Sequence, residues 1–308
     1  MLWQQCIEMF EILDSAFVSG ASVRDLLSAY GATSVDVETV RGGEASTDFI
    51  RVIIPGRLGR SAGGQAPTLG LIGRLGGLGA RPGLTGFVSD GDGALCVLAA
   101  ALKLLTMAAQ GDRLHGDVVI CTHIAADAPT IEHEPVRLMG SPVDDAVLSA
   151  LETAHPVDAL LSVDTTKGNR ILCHNGFAIT PTVKDGYILR VSDALLDIMS
   201  RVTGRLPVVL PITMQDITPY GNGIYHLNSI MQPSVDTVAP VVGVANTTEL
   251  PVAGAATGAT HLADVEAAAR FLVEAAKDFT AGACPFYDAA ELAQLQRLYG
   301  DMKRLQAR

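Results

Sequence analysis

The chain has 308 residues, 48% of them hydrophobic, enough to bury a sizeable core in one large domain or two ordinary ones. Its 33 acidic residues against 22 basic ones leave a formal net charge of -11, and repulsion of that sign opposes any extended contact with a phosphate backbone, so nucleic acid is excluded as the expected partner. Five cysteines (Cys6, Cys96, Cys121, Cys173 and Cys284) are odd in number and widely spaced, two of them inside apolar runs, which excludes a disulfide framework and points to a reducing, cytoplasmic setting.

The opening "MLWQQCIEMFEILD" has no basic segment or small-residue cleavage site, so neither a signal peptide nor a membrane anchor is expected. Short apolar runs bounded by glycine or proline then recur along the chain. They are "DFIRVIIPG", "TLGLIGRL", "GDVVICTH", "VDALLSVD", "PVVLPIT" and "VAPVVGVA", and each reads as a strand. Between the first two lies "GRLGRSAGGQAP", residues 56–67, whose composition predicts a mobile surface loop. Helical patterns cover 93–109, 142–154, 193–203 and 260–279; the first is the longest apolar run, contains Lys103 and is marginal for spanning a bilayer. At the end, "YDAAELAQLQRLYGDMKRLQ" spaces Leu292, Leu295, Leu298, Tyr299, Met302 and Leu305 helically, and Asp288 with Glu291 has the form of a capping box, so a docked helix is expected over 287–307. Strands alternating with helices predict an α/β fold with three layers, a mixed and mostly parallel sheet with helices on both faces. No composition shift marks a boundary, so residues 1–308 are expected to form one domain.

Ligands of open α/β sheets gather outside the carboxyl ends of the strands. Three acids occupy such places: Asp90 or Asp92 after "GFVS", Asp127 after "GDVVICTHIAA", and Asp164 at the close of "DALLSVD". If they converge, mutual repulsion demands a cation. A divalent metal is one candidate and Arg74, ending "TLGLIGRL", is the other; singly, each aspartate could equally cap a helix or turn. His123 lies four residues before Asp127, and "GIYHLNS" supplies His226; with Asp90 or Asp92 and Asp164 these could make a mixed nitrogen and oxygen site suited to zinc or manganese. Both histidines could equally be core or turn residues. Of the two aspartates in "SDGDG", Asp90 is expected to face the cleft and Asp92 to cap the helix behind it. "MQDITPYGNGIYHLNS", residues 214–229, is too polar for a core strand and reads as a ligand-binding loop carrying Asp216, Tyr220 and Asn222. "DTTKGNR" sets Lys167 and Arg170 beside Asp164, where they could receive a carboxylate or phosphate, or simply form surface turns.

These segments together resemble the co-catalytic zinc aminopeptidases and their deacylase relatives. "SDGDGALCVLAAALKLL" is similar to the segment of the bridging aspartate, "GDVVICTHIAADAP" to the strand before a Glu-Glu pair, and "LLSVDTT" to the strand that supplies a further aspartate. "SGASVRDLL" and "HLADVEAAARFLVEAAKDF" resemble the opening and closing helices. The likeness implies a zinc-exopeptidase-like fold of the phosphorylase/hydrolase type, without room for an added dimerisation domain. It places Asp90, Asp127 and Asp164 at metal-binding positions. It also shows losses: Arg74 and Gly76 stand where the family has His-x-Asp, Ala126 stands at the first position of the Glu-Glu pair, and the late histidine would fall near Gly254, a few residues before His261. Arginine stays charged near neutrality and repels a metal placed where histidine once bound it. Two expectations follow. One is a metal-dependent, hydrolase-like protein with a degenerate zinc or manganese site, acting on a small peptide or acylated amino acid. The other is an inactive relative that binds a small anionic metabolite through Arg74, Lys167 and Arg170. Either would take a small-molecule or peptide ligand and no organic cofactor, keep away from membranes, and could form a homo-oligomer. The segments "STDFIRVIIPG", "IGRLGGLGARPG", "VDTTKGNR" and "QDITPYGNGIYHLNS" are also similar to a bacterial family of about this length classed as a domain of unknown function, which implies no activity.

Overall fold

The computed structural model describes residues 1–42, 45–74, 87–126, 128, 130–132, 138–166, 168, 172–212, 229–250 and 260–302. Two helices open the chain, α1 (Trp3–Leu13) and α2 (Gly20–Ala29). The second is started by a reciprocal cap: the Ser22 amide donates to Ser19 Oγ at 3.3 Å and the Ser19 amide to Ser22 Oγ at 3.1 Å. An antiparallel pair follows, β1 (Val35–Gly42) and β2 (Ala45–Ile54), then β3 (Leu69–Gly73), α3 (Asp92–Ala109) and β4 (Val118–Ile124). A two-residue hairpin, β5 (Thr130–Ile131) and β6 (Leu138–Met139), leads to α4 (Asp145–Thr153) and β7 (Ala159–Thr166). The chain continues through β8 (Gly176–Ile179), β9 (Val183–Lys184), β10 (Tyr187–Ile188), α5 (Asp193–Thr203), α6 (Pro233–Asp236), β11 (Val241–Thr247), α7 (Leu262–Thr280) and α8 (Ala289–Tyr299).

Nine strands form one mixed sheet in the order β1-β2-β4-β3-β7-β11-β9-β10, with β8 also paired to β11. The central four, β4, β3, β7 and β11, run parallel; the remaining pairings are antiparallel. The central strands are fully apolar runs because both their faces are covered, as the unbroken burial of β3 and β4 shows. On one face lie α1, α2, α3, α5 and α7, and on the other α4 and α6, so the helices flank the sheet on both sides as the sequence pattern predicts.

Helix α3 is buried nearly all round, and Ala99, Ala100 and Ala101 keep it thin enough to sit between the sheet, α1 and α7. Residues Ser89–Ala109 are long and apolar enough to cross a membrane by length and composition, but that apolarity is taken up in the core, where each fully buried Leu stabilises by about 1.5–3 kcal/mol.

Three sequence expectations change. "PVVLPIT" supplies no ladder strand: Val209 makes a single bridge to Ile179, and Pro207 and Pro211 lack the amides a ladder needs. The strand β1 was not expected at all, since its alternating half-buried pattern lacks a strongly apolar run. The segment 56–67 is tied down instead of mobile. Asp117, 2% exposed, accepts from the Gly56 amide at 2.8 Å and from the Ser61 amide and hydroxyl at 2.8 and 3.0 Å, while Arg60 meets Asp158 at 2.6 Å. At the C-terminus, Asp288 accepts from the Ala290 and Glu291 amides to start α8, whereas the Glu291 side chain meets Arg190 at 3.1 Å and leaves the box half made.

Candidate functional site at the carboxyl ends of the strands

The register of the parallel strands decides which residues meet. Gly73 of β3 pairs with Thr122 of β4 and with Val163 of β7. One residue further on, Arg74 therefore stands between His123 and Asp164, in a row across three adjacent strands, on the face that carries Phe49, Ile72 and Cys121. The backbone holds this row in place, since the Arg74 amide donates to the Val163 carbonyl at 2.8 Å. A close approach behind it needs glycine: a Cβ on Gly93, in the first turn of α3, would lie 2.5 Å from the Arg74 carbonyl oxygen and 2.7 Å from that of Val163. The second glycine of "DGDG" thus lets the helix start press against the ends of β3 and β7.

All three members of the row are buried, with Arg74 2%, His123 3% and Asp164 0% exposed. Arg74 Nη1 donates to Glu152 Oε2 of α4 at 2.5 Å, with both side chains almost wholly covered, and its Nη2 donates to Gln232 Oε1. His123 Nδ1 shares a 2.9 Å hydrogen bond with the Thr47 hydroxyl of β2. Burial, reinforced by the Arg74 charge, pushes the His123 imidazole down from 6.5 to about 3, so the ring is neutral at physiological pH. Asp164 accepts from the Thr165 amide at 2.7 Å. The Thr165 hydroxyl in turn donates to the Ser89 carbonyl at 2.5 Å, tying the end of β7 to the single 3-10 turn, Ser89–Gly91, that carries Asp90.

Of the two aspartates of "SDGDG", Asp92 does not cap the helix as expected but is its first residue. Gly91 is the N-cap of α3 and makes no side-chain cap, while Asp92 is 4% exposed and lines a small cavity on the other face of the sheet. Asp90 is half-buried. Of the remaining sequence-predicted site residues, Asp127, His226, Lys167, Arg170, Asp216, Tyr220 and Asn222 lie outside the described residues, as do Gly76 and Gly254.

A zinc or manganese ion needs ligand atoms about 2.0–2.2 Å away. His123 and Asp164 are two strand spacings apart, roughly 10 Å between Cα atoms, with Arg74 on the strand between them. Among the described residues no group of three or more His, Cys, Asp or Glu side chains could hold a metal ion, so Asp90, His123 and Asp164 do not make such a site by themselves. The described residues supply a fixed buried cation where the metal reading needs donors. Sequence reasoning placed Arg74 at the site but missed what binds it. Glu152 and Gln232 lie 78 and 158 residues away along the chain, and no local pattern announces either.

A mixed sheet with a parallel centre, covered by helices on both faces and presenting polar side chains at its strand ends, is the zinc-exopeptidase-like α/β fold. Solved structures with this fold include the Legionella pneumophila LapA aminopeptidase, with a TM-score of 0.51 and 13% identity over 91% of this chain and 70% of that one. The glutaminyl cyclase of Porphyromonas gingivalis matches with a TM-score of 0.52 and 11% identity over 89% of this chain and 95% of its own. That of an Acidobacteriales bacterium gives 0.52 and 13% over 91% and 94%. At such identities the likeness is one of fold. The family profile "Protein of unknown function (DUF1177)" matches residues 38–308, and the chain belongs to that family. No curated protein matches it in sequence.

Proposed function

We propose that this chain uses the peptidase fold to bind a small anionic metabolite, of the acylated amino acid or short-peptide class, at its strand ends, without a metal. The observation that supports this reading is Arg74, a buried cation set between His123 and Asp164 and held by Glu152. A positive charge already present there disfavours a second one nearby. Arg74 acts from within the protein, because its covered guanidinium is committed to Glu152 and Gln232. Contact with the ligand then falls to the neighbouring polar segments, with Lys167 and Arg170 the sequence-based candidates for its anionic group.

Protein purified from metal-replete medium should contain zinc and manganese far below one ion per chain, and should stay silent in aminopeptidase and amidase assays supplemented with zinc, cobalt or manganese. N-acetylated amino acids or dipeptides should raise its melting temperature. Close to one zinc or manganese per chain, together with hydrolysis lost in Asp127→Ala and kept in Arg74→Ala, would replace this reading with a metal-dependent hydrolase whose site has been rebuilt.

A further inference from the structure

On the face of the sheet covered by α5 and α7, a groove of about 220 Å³ opens between the C-terminus of α5, the start of β8 and the first half of α7. Sites for drug-sized ligands run from about 300 to 1,000 Å³, so an occupant of this groove is smaller, of the size of one amino acid. Its floor is apolar. Phe177 of β8 and Met199 of α5, each 2% exposed, underlie it with Val208 and Ala267, and Leu206 lines it while 89% exposed. An unfilled apolar floor beside an exposed leucine favours an apolar group laid between them.

The charged groups around the floor say what else that occupant carries. Arg270 is already matched, since its Nη2 donates to Glu266 at 2.8 Å and its Nη1 to the Val202 carbonyl at 2.8 Å. That leaves one base and one acid, Arg205 and Asp264, which act on each other without ion-pair contact. Arg205 is held by a fixed turn: Gly204, at φ 68, closes α5, and the Arg205 amide donates to Thr203 Oγ1 at 3.2 Å. Asp264, in the first turn of α7, also borders the small cavity that Asp92 and Asn246 line, and there His261 Nδ1 lies 3.7 Å from it. Burial lifts the Asp264 carboxyl above the ordinary 3.8, and His261, His174 and Arg205 offset only part of that. A molecule with a carboxylate alone would set a like charge before Asp264, and one with an ammonium alone would set a like charge before Arg205. A molecule with both meets each in a charge-assisted hydrogen bond.

We propose that this groove binds a free apolar α-amino acid, of the size of leucine, methionine or phenylalanine, with its carboxylate on Arg205, its ammonium on Asp264 and its side chain over Phe177 and Met199. The site is separate from the strand ends on the other face, and an N-acetylated amino acid does not suit it, having no ammonium for Asp264. Isothermal titration calorimetry with L-leucine, L-methionine and L-phenylalanine tests it. At least one should bind with a dissociation constant between about 10 μM and 1 mM. The amide of the best binder, which lacks the carboxylate, and its deaminated acid, which lacks the ammonium, should each bind about tenfold more weakly or worse. Arg205→Gln and Asp264→Asn should each weaken the best binder by about tenfold, and Ala267→Leu, which fills the floor, should abolish binding. Arg205 is exposed, so its replacement does not threaten folding. Arg205→Gln should also leave unchanged any rise in melting temperature caused by N-acetylated amino acids, so that failure here and failure at the strand ends read separately. No binding of any of the three at about 10 mM would overturn the proposal. So would equal binding of the amide and the deaminated acid to that of the parent amino acid, or an affinity unchanged in Arg205→Gln.

Discussion

The two faces of the sheet bury side chains in different ways. Under the bodies of α3 and α7 the interior is apolar and dry: Leu95, Leu98, Leu102, Val265, Ala268 and Leu272 belong to one cluster of buried hydrophobic side chains, with Asp92, Asn246 and Glu266 buried nearer the helix starts. Under α4 and α6 the interior carries charge, with the Arg74–Glu152 pair and His123 packed beside Ile72 and Cys121. Apolar packing is tolerant, because any side chain of the right volume restores most of it. A buried charged row is not, because each member depends on a specific partner for compensation. The dry face therefore tolerates substitution by volume, and the charged face tolerates only changes that keep its partners matched.

Breaking the ion pair should test this contrast most severely. Arg74→Ala takes from the buried Glu152 carboxylate the guanidinium it meets at 2.5 Å and should cost about 3–5 kcal/mol in urea unfolding, whereas R74M/E152L, which replaces both charges with apolar volume, should come close to neutral. On the dry face, Leu98→Met should cost under about 1.5 kcal/mol. Equal losses for Arg74→Ala and the double variant would show that the charged face is valued for packing alone.

A smaller effect comes from His123. Its folded pKa, about 3, lies below the ordinary 6.5, so the unfolded chain binds more protons between those values. Stability contributed by neutral His123 is present above pH 6.5 and is lost as pH falls towards 3, with a slope of about 1.4 kcal/mol per pH unit for one proton. His123→Gln should flatten that slope by one proton's worth; an unchanged slope would mean that the ring is not held neutral.

The smallest effect is chemical and needs no unfolding. Cys6, Cys121 and Cys284 are pushed up to about 12, chiefly by burial, and Cys96 well above its usual value for the same reason. Only Cys173 of the five is exposed. A thiol reagent at neutral pH should titrate one cysteine in the native protein and five in denaturant.

Much of this architecture is legible in the residues. The helices expected over 93–109, 193–203 and 260–279 form within a few residues of those bounds, because their apolar spacing repeats over several turns. The apolar runs ending at Gly73, His123 and Asp164 become the parallel centre of the sheet. The half-polar β1 gives no strong strand signal, and the loop 56–67 has a composition that points to a mobility the fold removes. Its glycines announce freedom, while Asp117, the residue that removes it, lies far along the chain.

By itself the sequence determined the α/β layering and placed Arg74, His123 and Asp164 at strand ends, since periodicity and strand termination are local properties of the chain. Only the tertiary structure decided that Arg74 stands between the other two, that Glu152 and Gln232 hold it, and that Asp92 and Asn246 share a cavity on the opposite face. The physical reason is register. Which residues become neighbours across parallel strands, and which helix covers them, depends on pairings between segments far apart in sequence, and a shift of one residue would turn each of these side chains to the other face.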